Sequence, residues 1–149
     1  MVTMLFEQLK TDLITAMKSG ERLRVDTLRY LIAAIKKYEI DTYPPVKGGT
    51  LTEADVVKIV QKQVKTHRES IEAFQKGNRP DLVAKEQQEL TILEQYVPKE
   101  LTDAEIKTMV VALKNKGMTN FGQLMGMAMK EVAGRAPGDR VATIVKAEL

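Results

Sequence analysis

The chain has 149 residues, among which there is no cysteine, no tryptophan and only one histidine, His67. The absence of cysteine excludes disulfides, a thiolate nucleophile and every zinc site built on thiolates. A single histidine also excludes a metal site assembled from several imidazoles. We therefore expect the protein to use neither a metal ion nor another cofactor.

Long apolar stretches are absent too. No part of the sequence approaches the roughly 18 consecutive apolar residues of a membrane-spanning helix. The amino-terminal residues, MVTMLFEQLKTD, lack the basic start, apolar run and small-residue cleavage site of a signal peptide. These features predict no membrane partner and a cytoplasmic location.

The charged residues show no strong asymmetry. There are 23 lysines and arginines against 20 aspartates and glutamates, and hydrophobic residues make up 44% of the chain. This composition is typical of a soluble globular protein. The small positive excess permits binding to RNA but does not predict it.

Apolar residues recur every third or fourth position along nearly the whole chain, which is the period of amphipathic helices. In the first such segment, Leu5, Leu9, Leu13 and Met17 lie on one helical face. No segment shows the alternating, β-branched pattern of a strand. The sequence therefore predicts an all-α protein, with helices over residues 4–17, 21–40, 53–76, 80–97, 103–116, 120–133 and from about 137 onward.

A short turn at Gly77-Asn78 separates the third and fourth helices. Pro80 suits the first turn of the fourth helix because its missing N–H would have no intrahelical partner there. So short a connection forces a long antiparallel helical hairpin, which Pro98 ends. We expect two helical domains, at residues 1–98 and 99–149.

Three blocks of the sequence resemble the YqeY family. They are residues 24–40 (RVDTLRYLIAAIKKYEI), residues 68–98 and residues 121–134, which begin FGQLMG. The second block is the most specific, with Arg68-Glu-Ser-Ile-Glu-Ala-Phe, Arg79-Pro-Asp-Leu, Lys85-Glu and Tyr96-Val-Pro. The loop DTYPPVKGG and the segment Pro137-Gly138-Asp139 depart from the family pattern.

The YqeY family shares its carboxy-terminal part with the tail of the GatB subunit of tRNA-dependent amidotransferases. The resemblance implies an amino-terminal helical bundle with the long hairpin, followed by a small three-helix GatB-tail-like domain over residues 99–149. It also implies that this domain approaches tRNA, as the GatB tail does during amidation of a mischarged aminoacyl-tRNA.

Basic residues near helix ends and loops of the smaller domain are candidates for binding RNA phosphates. Lysines near helix ends also complement the helix dipole, so a purely solvated face remains an alternative interpretation. Thr119 is expected to cap the sixth helix and Phe121 to join its core face, which leaves no platform for stacking a base. The candidate phosphate-binding residues are Lys114, Lys116, Lys130, Arg135, Arg140 and Lys146.

Small and flexible residues on the sixth helix suggest a partner surface. Gly122 and Gly126 form a strip that would let another backbone approach, although close packing of a neighbouring helix is the favoured interpretation. Met127 and Met129 fall off the main apolar stripe, and flexible thioethers suit an adaptable docking patch.

The single histidine falls on an apolar stripe, between Val64 and Ile71. A packed core histidine is therefore favoured over a catalytic base. Glu86 and Glu89 are interpreted as helix-surface charges, with Lys85 and Glu89 expected to form an i,i+4 ion pair.

Nothing in the sequence resembles a reaction centre, since it contains no GxSxG motif, no phosphate-binding P-loop and no carboxylate-rich metal loop. The leading hypothesis is a non-catalytic helical module that binds tRNA or a tRNA–protein complex. One alternative is a protein-interaction or scaffold module. Another is an accessory part of a glutamine-dependent aminoacyl-tRNA amidotransferase, whose carbon–nitrogen ligase activity would require other catalytic subunits. The expected partners are accordingly tRNA or amidotransferase or synthetase subunits.

Overall fold

A computed structural model describes residues 3–149, and this part of the chain forms α-helices without any strand. The all-α prediction is confirmed. None of the helices described has both the length and the apolar character needed to cross a membrane. The helices are α1 Met4–Ser19, α2 Arg22–Thr42, α3 Glu53–Lys76, α4 Pro80–Glu94, α5 Asp103–Asn115, α6 Phe121–Val132 and α7 Gly138–Glu148.

The chain divides into two compact units, Met1–Val97 and Pro98–Leu149. The first contains α1 to α4 and the second contains α5 to α7, and each has its own apolar core. Fully buried residues of the first core include Leu9, Leu28, Leu31, Ile35, Val56, Val60 and Leu93. Those of the second include Ile106, Val110, Leu113, Leu124, Val132, Val141 and Val145.

The hairpin of α3 and α4 turns through a single left-handed residue. Asn78 has φ 54°, whereas Gly77 has an ordinary φ of −83°. Asparagine tolerates this conformation better than most residues with a side chain. The N–H of Arg79 then donates to the carbonyl oxygen of Phe74 at 2.9 Å, and Pro80 opens α4 as predicted.

A partly buried polar network joins three segments of the amino-terminal unit. The hydroxyl of Tyr96 donates to Oδ2 of Asp12 on α1 at 2.7 Å, and Nη2 of Arg24 on α2 donates to the same hydroxyl at 3.3 Å. Burial, together with the hydrogen bond to Asp12, raises the pKa of Tyr96 to about 12. The hydroxyl is therefore protonated at neutral pH and holds the chain beyond α4 against α1 and α2.

The start of α6 differs from the prediction. Asn120, not Thr119, is the cap, because its Oδ1 accepts from the N–H groups of Gly122 at 2.8 Å and Gln123 at 3.3 Å. Phe121 thus becomes the first helical residue, and it is 38% exposed rather than part of the core. The prediction of a core position for Phe121 was wrong, because the period of an amphipathic helix gives the face of a residue but not whether a neighbour covers that end of the helix.

The loop before α3 is held by one carboxylate. Asp55 accepts from the N–H of Thr52 at 3.0 Å and from the hydroxyls of Tyr43 at 2.7 Å and Tyr38 at 3.3 Å. Partial burial favours a higher pKa for Asp55, but these hydrogen bonds outweigh it, so the pKa lies below the ordinary value. The hydroxyl of Thr52 completes the capping box by accepting from the N–H of Asp55 at 3.1 Å.

Replacing Asp55 with alanine should lower the free energy of unfolding by about 1–2 kcal/mol at neutral pH, because a helix cap and the hydrogen bond to the partly buried Tyr43 are lost together. The folded pKa is depressed, so the carboxylate stabilises the fold above its unfolded pKa of about 4 and this contribution is lost as pH falls through the folded value. Urea unfolding of both proteins across this pH range measures the difference.

The matched control is Asp41→Ala, which removes an exposed carboxylate 3.9 Å from Nζ of Lys37. Exposed pairs of this kind contribute little, so the control should change stability by less than about 0.5 kcal/mol. If both variants lose the same free energy of unfolding, the cap of α3 does not contribute more than an exposed ion pair.

Candidate functional site

One end of the three-helix unit gathers exposed lysines. Nζ of Lys114 donates to the carbonyl oxygen of Glu148, so α5 and α7 finish at the same end. Nζ of Lys146 lies 5.8 Å from the ring centroid of Phe121, so α6 begins there as well. Lys116 ends α5 at this position. Lys114, Lys116 and Lys146 are all exposed.

The other proposed cations lie elsewhere on the same unit. Lys130 is exposed in the last turn of α6. Arg135 donates from Nε to the carbonyl oxygen of Val132 at 3.0 Å and from Nη2 to that of Glu131 at 2.8 Å. Its guanidinium therefore satisfies the open end of α6.

Arg140 is occupied by the chain before α5. Its Nη1 lies 2.6 Å from Oε1 of Glu100, and its Nη2 donates to the carbonyl oxygen of Leu101. Its buried Nε lies 2.7 Å from Oδ1 of Asp103, an ion pair whose angle is unsuitable for a hydrogen bond. Two carboxylates already oppose this guanidinium, so it offers less to a phosphate than the three lysines do.

Phe121 is a functional candidate that sequence reasoning missed. Its ring is partly exposed, and the ammonium of Lys146 stands beside it. An exposed aromatic next to a cation is the arrangement that single-stranded nucleic-acid sites use to stack a base and hold its phosphate. The available signal in the sequence was the position of Phe121 in the first turn of α6, at an end of the helix. We refer to Lys114, Lys116, Phe121 and Lys146 as the basic–aromatic end.

The glycines of α6 face open space. A Cβ placed on Gly126 would meet no neighbour within 4 Å, and one on Gly122 would meet only Oδ1 of Asn120 at 3.3 Å. Close packing of a helix of the same domain on this strip, the favoured interpretation, was therefore wrong. Met127 and Met129 are partly buried and pack against the core of the unit.

A second group of polar residues lies inside the amino-terminal unit. Nε2 of His67 is 3.0 Å from Oε2 of Glu89 and 3.6 Å from Oε2 of Glu86. The side chains of His67, Glu86 and Glu89 are only 13%, 22% and 20% exposed. They border a cavity of about 350 Å³ whose other walls include Asp26 and Tyr30.

This group, the His67 cluster, differs from the expected surface pairs. Glu89 contacts His67 across the hairpin, where the sequence suggested an i,i+4 pair with Lys85 on its own helix. Each residue offers one possible ligand atom, and the three atoms all lie within 4.8 Å of one another. The expectation that one histidine leaves no metal site overlooked carboxylates that only folding brings near.

The fold and these two groups define a two-unit helical protein with a basic surface on one unit and a shielded ionic cluster in the other. A family model described as Yqey-like protein matches residues 6–149. The chain therefore belongs to the YqeY family, and the resemblance inferred from three sequence blocks is confirmed.

Similar proteins share the printed name "Altered inheritance of mitochondria protein 41, mitochondrial". The one from Pyrenophora tritici-repentis is 33% identical over 135 residues, covering 87% of this chain and 71% of the relative. The one from Lachancea thermotolerans is 32% identical over 150 residues, covering 95% and 76%. The one from Clavispora lusitaniae is 33% identical over 118 residues, covering 78% and 66%.

These names correct one expectation. They assign the relatives to mitochondria, whereas the amino-terminal residues of this chain predicted a cytoplasmic location. The cytoplasmic prediction was wrong. It depended on features of the amino-terminal residues that do not distinguish one compartment inside the cell from another.

Replacing Gly126 with alanine should raise the free energy of unfolding by about 0.5–1 kcal/mol, because alanine loses less backbone entropy in a helix interior and its Cβ enters open space. Urea unfolding followed by circular dichroism measures this gain. Gly117→Ala is the opposite control. It should lower the free energy of unfolding, because Gly117 has φ +100°, which residues with a side chain rarely adopt. If Gly126→Ala is less stable than wild type, other atoms pack against this face of α6.

Proposed function

We propose that this protein binds tRNA, or a complex containing tRNA, through the basic–aromatic end of its three-helix unit. The observation that carries the proposal is the convergence of three exposed lysines and one partly exposed aromatic ring where α5, α6 and α7 meet. The resemblance to the GatB tail supports tRNA as the RNA. The proposed activity is binding, and any amidation would be carried out by other subunits.

The charges at this end also support the proposal. The nearby carboxylate of Glu148 lies 3.7 Å from Nζ of Lys107, so a further lysine offsets its charge. The side chains of Lys114, Lys116 and Lys146 are exposed. Each phosphate that they neutralise would release condensed counterions, and this release drives association with nucleic acids.

The aromatic ring adds a contribution that salt does not remove. An unpaired base stacked on Phe121 would keep its phosphate within reach of Lys146, whose ammonium already lies against the ring. Stacking accepts any base, so this contact favours looped or terminal nucleotides without selecting a sequence. A folded tRNA offers both kinds of nucleotide.

The triple variant Lys114→Gln, Lys116→Gln, Lys146→Gln should bind total tRNA more weakly, because three phosphate contacts are lost. Mobility-shift titrations between about 50 and 200 mM salt measure the slope of log affinity against log salt. Each contact contributes roughly 0.7–0.9 to that slope, so the variant's slope should be shallower by about 2–3. Glutamine removes the charge but keeps a flexible side chain of similar, slightly shorter length with an N–H donor.

The matched control is Lys58→Gln, Lys62→Gln, Lys65→Gln, which removes the same charge from three exposed positions on α3. If both triple variants lose the same slope, net charge and not the basic–aromatic end accounts for binding. If wild type shows no shift with tRNA at low salt, the proposed function is wrong.

Replacing Phe121 with leucine should weaken tRNA binding about 5-fold or more, since stacking of a base on an aromatic ring contributes about 1–3 kcal/mol. Leucine keeps an apolar side chain at the start of α6, so folding should be little affected. Fluorescence anisotropy with labelled tRNA at fixed salt measures the change. Phe74→Leu, a partly buried aromatic of the other unit, is the control and should bind as wild type does.

A further inference from the structure

The His67 cluster is drawn from both arms of the α3–α4 hairpin. His67 lies on α3, and Glu86 and Glu89 lie three residues apart on α4, which places both carboxylates on one helical face. All three side chains point toward the same space beside the 350 Å³ cavity. Two carboxylates and one imidazole therefore share a partly shielded position.

The protonation of the imidazole is constrained by its second nitrogen. Nδ1 of His67 lies 2.9 Å from the carbonyl oxygen of Gln63, and a carbonyl oxygen can only accept a hydrogen bond. Nδ1 therefore carries the proton in the neutral ring, and Nε2 presents a lone pair. That lone pair faces oxygens of Glu86 and Glu89, which are acceptors as well.

A cation between these three acceptors would stabilise them. A single proton on Nε2 would leave one of the two negative charges uncompensated, in a position largely shielded from water. A divalent ion would compensate both carboxylates and use the lone pair of Nε2. The hydrogen bond to Gln63 is also the usual outer contact that fixes the ring of a metal-binding histidine.

The distances from Nε2 of His67 to the two carboxylate oxygens are close to those between neighbouring ligand atoms of a metal ion. Nε2 lies 3.0 Å and 3.6 Å from the two carboxylate oxygens. A tetrahedral ion with bonds of about 2.0–2.1 Å holds neighbouring nitrogen and oxygen donors about 3.3 Å apart, which lies between these two distances. One nitrogen and two oxygen donors suit zinc and similar transition ions, whereas calcium and magnesium prefer oxygen alone.

We infer that His67, Glu86 and Glu89 form a binding site for a divalent transition-metal ion such as Zn²⁺, with the adjoining cavity leaving room for a water as fourth ligand. The ion links α3 to α4 at a distance from the hairpin turn. It therefore stabilises the amino-terminal unit, and this role is independent of RNA binding by the other unit.

The composition of the chain makes the test direct. His67 is the only imidazole and there is no thiolate, so in tag-free protein any imidazole-dependent metal binding is binding at this site. Calorimetric titration of chelator-treated protein with Zn²⁺ should give one ion per chain. One equivalent should also shift the ring-proton NMR signals of His67, and excess ion should raise Tm by a few degrees, about 5 °C.

Variants separate the site from the rest of the surface. His67→Gln should weaken Zn²⁺ binding at least 100-fold and Glu89→Gln at least 10-fold, since even outer contacts of a metal site are worth 10–100-fold. Glu69→Gln, which removes an exposed carboxylate of α3, should bind within about twofold of wild type. If His67→Gln fails to fold, as judged by circular dichroism, Glu89→Gln decides the outcome.

Three results would overturn the inference. They are the absence of Zn²⁺ binding by wild type, equal binding by wild type and Glu89→Gln, and ring-proton signals of His67 that do not move with one equivalent of Zn²⁺. The last result would indicate that a proton alone joins His67 to the glutamates. If Glu89→Gln loses Zn²⁺ binding and binds tRNA as wild type does, the metal site is supported and the proposed function is unaffected.

Discussion

The register of the α3–α4 hairpin is the constraint on which the amino-terminal unit depends. The turn is centred on Asn78, and His67 and Glu89 each lie eleven residues from it, which brings them opposite one another. Adding or removing one residue in the turn would rotate α4 by about 100° relative to α3. The apolar stripes would then no longer face each other, and the His67 cluster would separate.

The two units differ in how many of their polar side chains are paired with other residues of the unit. In the amino-terminal unit, Tyr96, Asp12 and Arg24 satisfy one another across three segments, so these groups contribute to the fold. The three-helix unit uses Arg135 and Arg140 in the same structural way but leaves lysines exposed where its helices meet. Exposed ammonium groups can exchange water for phosphate at little structural cost, so the proposed tRNA binding is expected at these lysines.

Prediction from sequence succeeded for several local signals. The helical periods and the proline that opens α4 depend on residues close in sequence, and both are present. It failed at the start of α6. The cap was misplaced by one residue, and Phe121, which was expected in the core, is partly exposed. The partner of Glu89 was missed because it lies 22 residues away.

The sequence by itself determined the helical class, the approximate helix ends and the family, because these follow from the period of apolar residues and from motifs read along the chain. Only the tertiary structure decided which charged groups are paired and which are available. Arg140 and Lys146 look alike in the sequence, yet one is held by Glu100 and the other stands beside an exposed ring. Electrostatic interactions depend on distances through space, and those distances exist only once the helices have packed.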